Sequence, residues 1–128
     1  MNQERLLGTY TLKWFFIDSP EGKRSDWGKG VHGLLIYSGT GHMSVSINKD
    51  VENDPEQSAY ENLFDSILFY SGTYRVDGDL IRHQVTEASN PARIGKEMLR
   101  SAEIKGRELH LKTPVEAFGQ ATLVWERV

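Results

Sequence analysis

The chain has 128 residues, 38% of them hydrophobic and 26% charged, which suits one globular domain spanning residues 1–128. A net charge of −3 lacks the basic footprint of a nucleic-acid binder. The absence of cysteine excludes disulfides, thiol catalysis and thiolate metal sites, and the four histidines show no metal-ligand spacing.

The opening "MNQERLLGTYTLKW" is polar and then alternating, with no apolar leader, and no later stretch is long and apolar enough to insert in a membrane. A cytoplasmic protein is the default expectation. "GTYTLKWFF" reads as a first strand with Tyr10, Leu12, Trp14 and Phe16 on one face. The polar loop "DSPEGKRSDWGKGVHG" is too long for a tight turn, and its Trp27 reads as either a lid or a rim residue. "GLLIYSGTGHMSVSIN" is a hairpin turning at Ser38-Gly39-Thr40-Gly41, its second arm placing Met43, Val45 and Ile47 together.

One short helix is predicted near residues 55–67. Asp54 would be its N-cap and Pro55 its first residue, with Tyr60, Leu63, Phe64 and Ile67 on one face to plug or flank a sheet. The remaining strands are "LFYSGTYRV", "LIRHQVTE", "EMLRSAEI", "ELHLKT" and "ATLVWERV", with turns at Asp77-Gly78 and Lys105-Gly106. Eight strands in nearly sequential hairpins predict an all-β, eight-stranded antiparallel up-and-down barrel, with a sandwich as the alternative.

The alternation also picks out a site. In "LIRHQV", His83 shares the inward face with Ile81 and Val85; in "EMLRSAEI", Arg100 shares it with Met98, Ala102 and Ile104. A hairpin in which residue numbers sum to 183 would set His83 opposite Arg100, and Tyr74 on the preceding strand would lie beside them. The expected interior cluster is therefore Tyr74, His83 and Arg100 with Tyr70, among Trp14, Met98, Leu111 and Trp125. The only inward carboxylate by parity is Glu87, at a strand end. Arg100 would then be satisfied by tyrosine hydroxyls, carbonyls, water or a ligand's acidic group, and burial beside a cation would keep His83 neutral. Each residue also has a plainer reading: His83 as a hydrogen-bonded core histidine, Arg100 as a strand-end residue reaching solvent, the aromatic residues as packing.

The ordered motifs "LLGTYTL", "GLLIYSGTGHMSV", "YSGTYRVDGDLIRHQV", "NPARIGKEMLRSAEIKGRELHL" and "ATLVWERV" resemble the lipocalin-like domain family, one of the calycin-type small barrels. The resemblance implies an internal cavity. It also implies that Arg127 packs over the aromatic ring of Gly8-Thr9-Tyr10, where lipocalins usually carry tryptophan in place of tyrosine. It implies a container more than a reaction. Three functions are then open. The first is binding of a small hydrophobic or amphipathic molecule, an acid included, with its head at Arg100 and His83. The second is a cofactor-independent isomerase, cyclase or dehydratase on a polyketide- or terpenoid-like substrate, with His83, Arg100 and Tyr74 as catalytic candidates. The third is a structural domain with a filled core. No cofactor or metal enters any of the three.

Overall fold

The computed structural model describes all of residues 1–128. A one-turn helix α1 (Gln3–Leu6) leads into β1 (Gly8–Asp18), β2 (Arg24–Asp26), β3 (His32–Tyr37) and β4 (His42–Asn48). Helix α2 (Ala59–Asp65) precedes β5 (Ile67–Asp77) and β6 (Leu80–Ala88). A 3₁₀ turn (Pro91–Arg93), β7 (Glu97–Lys105), β8 (Glu108–Lys112) and β9 (Gln120–Arg127) complete the chain. From β3 onward each strand pairs antiparallel with the next. β1 then pairs with both β3 and β9 and closes an eight-stranded antiparallel barrel, while the short β2 adds only to the far end of β1. Closure removes the free edges that an open sheet of this size would expose.

The expected inward faces hold for Met43, Val45 and Ile47 on β4 and for Ile81, His83 and Val85 on β6, all of them buried. Two bulges change the rest. In β1 the pairing with β9 slips between Leu12 and Trp14. Beyond that point the parity reverses, so Phe15 and Ile17 face the interior and Trp14 faces out, 44% exposed. Trp14 therefore lies outside the barrel, contrary to expectation. There its indole N–H donates to Asp26, 2.7 Å away, and its ring packs on Phe16 under the Arg24 guanidinium.

The second slip falls between Ser71 and Gly72 on β5, where β6 accommodates Thr86 as an extra residue. It turns Glu87 outward to accept a hydrogen bond from the Ser71 hydroxyl, so the one carboxylate expected inside by parity is not there.

Helix α2 also departs from expectation. Its N-cap is Ser58, not Asp54: the Ser58 hydroxyl accepts from the Glu61 N–H, and the Glu61 carboxylate accepts from the Ser58 N–H. Asp54 instead caps the preceding turn at Glu56. The buried side of α2 is Asn62 with the following Ser66, while Tyr60, Leu63 and Phe64 are exposed. The helix flanks the barrel and plugs nothing.

One end of the barrel is shut. The Arg127 guanidinium lies over the Tyr10 ring, 4.9 Å from its centroid, and donates to the Tyr10 hydroxyl (2.7 Å) and to the Leu7 and Arg5 carbonyls. Tyr10 in turn donates to the Leu6 carbonyl. A β-carbon on Gly8 would sit 2.7 Å from the arginine, so glycine there leaves room for the stack. Lysine keeps the charge but not the planar fork. Arg127→Lys is expected to cost about 2 kcal/mol by loss of charge-assisted bonds, seen as a fall of roughly 6–10 °C in Tm.

Candidate functional site

The opposite half of the barrel is open. A cavity of about 310 Å³ enters between the β2–β3 loop, the 3₁₀ turn and the β8–β9 loop, and 14 of its 19 lining residues are hydrophobic. Its walls include Phe15, Leu35, Val45, Ile47, Met98, Leu111, Leu123 and Trp125. Trp27 belongs to this rim. Its ring stacks flat on Phe15 at 4.9 Å, and Lys49 Nζ lies 4.3 Å from the ring centroid. Held in this way, it is part of the wall rather than a free lid.

Of the residues expected inside, Tyr70, His83, Met98, Arg100, Leu111 and Trp125 line the cavity; Trp14 and Tyr74 do not. Tyr74 does pair with His83 across the β5–β6 ladder. Its hydroxyl nevertheless donates to the Ser38 carbonyl at 2.8 Å, and its ring packs edge-on against Tyr37 in the closed half. The β6–β7 register differs from the expected one by two residues, so that His83 opposes Met98 and Ile81 opposes Arg100. Because the shift is even, Arg100 stays on the inward face, diagonal to His83.

His83 is held by two tyrosines. The Tyr37 hydroxyl lies 2.6 Å from Nε2 and the Tyr70 hydroxyl 2.6 Å from Nδ1, and the imidazole is 2% exposed. Tyr37 was missing from the sequence reading, although "LLIY" carried the signal: it shares parity with Leu35 and opposes Met43. Burial lowers the His83 pKa to about 3, and the Arg100 charge adds to the effect. Burial likewise raises the pKa of Tyr37 and of Tyr70, with Arg100 working against it in both. All three groups are therefore neutral near pH 7.

Arg93 and Arg100 bring the positive charge. Neither forms an ion pair; Arg100 donates to the Leu99 carbonyl at 2.7 Å, and the cavity's only carboxylate is Glu116 at the rim. The indole N–H of Trp125, a residue 1% exposed, has no acceptor. Arg93 in the 3₁₀ turn, Phe118 in the β8–β9 loop and the bulge-reversed Phe15 and Ile17 were not legible from alternation, since none belongs to an unbroken period-two run. The result is an apolar pocket whose polar groups are mostly donors.

The sequence pattern of the lipocalin-like domain family matches residues 7–128, nearly the whole chain. The chain belongs to that family. Among solved structures, this lipocalin-like domain is similar to an uncharacterised protein from Bacteroides eggerthii. The TM-score is 0.52 at 13% identity, covering 95% of this chain and 98% of the other. It is also similar to fatty-acid-binding protein 1 of Echinococcus granulosus, with a TM-score of 0.47, 15% identity and 98% of each chain covered. No curated protein matches it. At these identities the likeness concerns the fold alone. No helix of the lipocalin-like domain is long and apolar enough to cross a membrane.

Proposed function

We propose that this lipocalin-like domain binds a small hydrophobic or amphipathic molecule in its barrel, with the molecule's polar head at Arg100 and the Tyr70–His83 pair. The observation that carries this reading is the cavity itself: about 310 Å³, mostly apolar, with an arginine in its wall that no carboxylate neutralises. That volume falls at the low end of the roughly 300–1,000 Å³ typical of small-molecule sites. A lining that is apolar except for a few placed polar groups is the usual make-up of such sites. An anionic head would supply what Arg100 lacks, and the apolar wall would take the body. A cytoplasmic location is part of this proposal.

Binding is preferred to turnover on the state of His83. Both ring nitrogens are engaged by tyrosines, so no lone pair is free to take a substrate proton. The chain of hydrogen bonds ends at Tyr37 in the closed half, away from any source of protons.

The test is a thermal-shift and titration series of straight-chain carboxylic acids from six to sixteen carbons. Each added methylene should tighten binding by about fourfold until the cavity is full, from roughly 0.8 kcal/mol per buried CH₂. At a hundred times Kd a bound acid should stabilise by about 2.7 kcal/mol, or roughly 8–13 °C. Failure of every acid to raise Tm would sink the reading.

A further inference from the structure

Two tyrosine hydroxyls meet one neutral imidazole, and their hydrogens cannot be placed arbitrarily. A neutral histidine has one N–H and one ring lone pair. One tyrosine must therefore donate to the ring and the other accept from it, and the acceptor's own O–H proton has to go elsewhere. Tyr37 has no elsewhere: it is 1% exposed, does not reach the cavity, and has no hydrogen-bond partner except His83. Were Tyr37 the acceptor, its proton would be stranded in the core, a penalty that disfavours this arrangement by roughly tenfold or more. Tyr70 lines the cavity, so its proton has somewhere to go.

We propose that Tyr37 donates to Nε2 of His83 and Nδ1–H of His83 donates to Tyr70, leaving the Tyr70 hydroxyl proton to enter the cavity as the specificity-determining donor for a ligand carboxylate. This inference rests on the binding reading above and specifies the head group that the site selects. The rest of the wall agrees with it. The Trp125 indole N–H lacks an acceptor, and Arg93 and Arg100 add cationic donors. The chain of bonds also polarises Tyr70, since each donation into a hydroxyl strengthens the one it makes. Burial disfavours ionisation of the Tyr70 hydroxyl, so it stays a donor at neutral pH. The fit is to a monocarboxylate with an apolar body: one oxygen accepts from Tyr70 and the charge is met by Arg100. An ammonium head beside Tyr70 would face donors and two arginines, the one carboxylate of the cavity, Glu116, lying at the rim.

Two measurements test the proposal. The first needs no ligand. In protein labelled with ¹⁵N at histidine, His83 should show a protonated Nδ1 and an unprotonated Nε2, and the reverse pattern would overturn the proton order. The second uses the fluorescence of Trp27 and Trp125, both in the cavity wall, to titrate decanoate, 2-decanone and decylammonium. Decanoate should bind tightest and decylammonium weakest. Tyr70→Phe should weaken decanoate by about tenfold and the ketone by about fivefold, whereas Arg100→Gln should weaken decanoate alone. Equal affinity of Tyr70→Phe and the unaltered protein for both acceptors would refute Tyr70 as the selecting donor. If none of the three probes binds, the binding reading fails, and the ¹⁵N pattern still decides the proton order on its own.

Discussion

Acidification from pH 6.5 to pH 3 removes on the order of 4 kcal/mol of folding stability through His83 alone. The native imidazole is buried among Tyr37 of β3, Tyr70 and Tyr74 of β5, and Arg100 of β7, with no carboxylate facing it. Burial and then the Arg100 charge depress its pKa from 6.5 to about 3. The unfolded chain therefore takes up a proton below pH 6.5, and the native protein does so only below about 3. Stability is complete above pH 6.5 and is lost as the pH falls through that window, at about 1.4 kcal/mol per unit.

Carboxylates contribute lower down. Hydrogen bonding, from Arg24 to Asp18, from Ser71 to Glu87 and from Lys13 to Glu108, lowers those three pKa values, so their share of stability is lost only as they protonate in the acid range. The interval from pH 6.5 to 5 thus isolates His83. Urea titrations should show a loss of about 2 kcal/mol across it, and His83→Gln, which can both donate and accept but does not titrate, should flatten the slope. A stability that stays level between pH 7 and 5 in the unaltered protein would mean that the histidine is not held neutral.

The parts of this site that were legible in the sequence are those where period two runs unbroken. His83 between Ile81 and Val85, and Arg100 with Met98 and Ala102, fall inside because a strand repeats its faces every second residue. An error of two in register left them together. What alternation could not show were the bulges. "GTYTLKWFF" alternates well enough to put Trp14 with Tyr10, yet one slip after Leu12 sends Trp14 out and brings Phe15 in. Local sequence does not mark that slip, because β1 has to satisfy β3 along one stretch and β2 along another while pairing with β9 throughout. The hydroxyl partners were similarly out of reach. Tyr74 was nearest to His83 along the ladder, but reach depends on where a ring points, and Tyr37 comes from a strand 46 residues away.

Gly72→Ala should cost about 4 kcal/mol or more, and failure to fold is the extreme of the same outcome. A β-carbon there would lie 1.8 Å from the Gln84 carbonyl oxygen and 3.1 Å from the Thr86 nitrogen, both backbone atoms that no rotamer can move. Relief requires opening the β5–β6 bulge. That would disturb the bonds around it: the Thr86 hydroxyl to the Ser71 carbonyl, and the Ser71 hydroxyl to Glu87. Gly39→Ala is the matched control. Nothing lies within 4 Å of its added carbon and its backbone is not left-handed, so its cost should be within about 0.5 kcal/mol of zero. The contrast has a functional side, since the bulge lies two residues from Tyr70 and sets the register in which its hydroxyl meets His83. Any Gly72→Ala protein that does fold should therefore have lost the acid-sensitive stability of His83 together with selectivity for carboxylates. If it keeps both, and its stability too, the close approach of the two strands is not what positions the site.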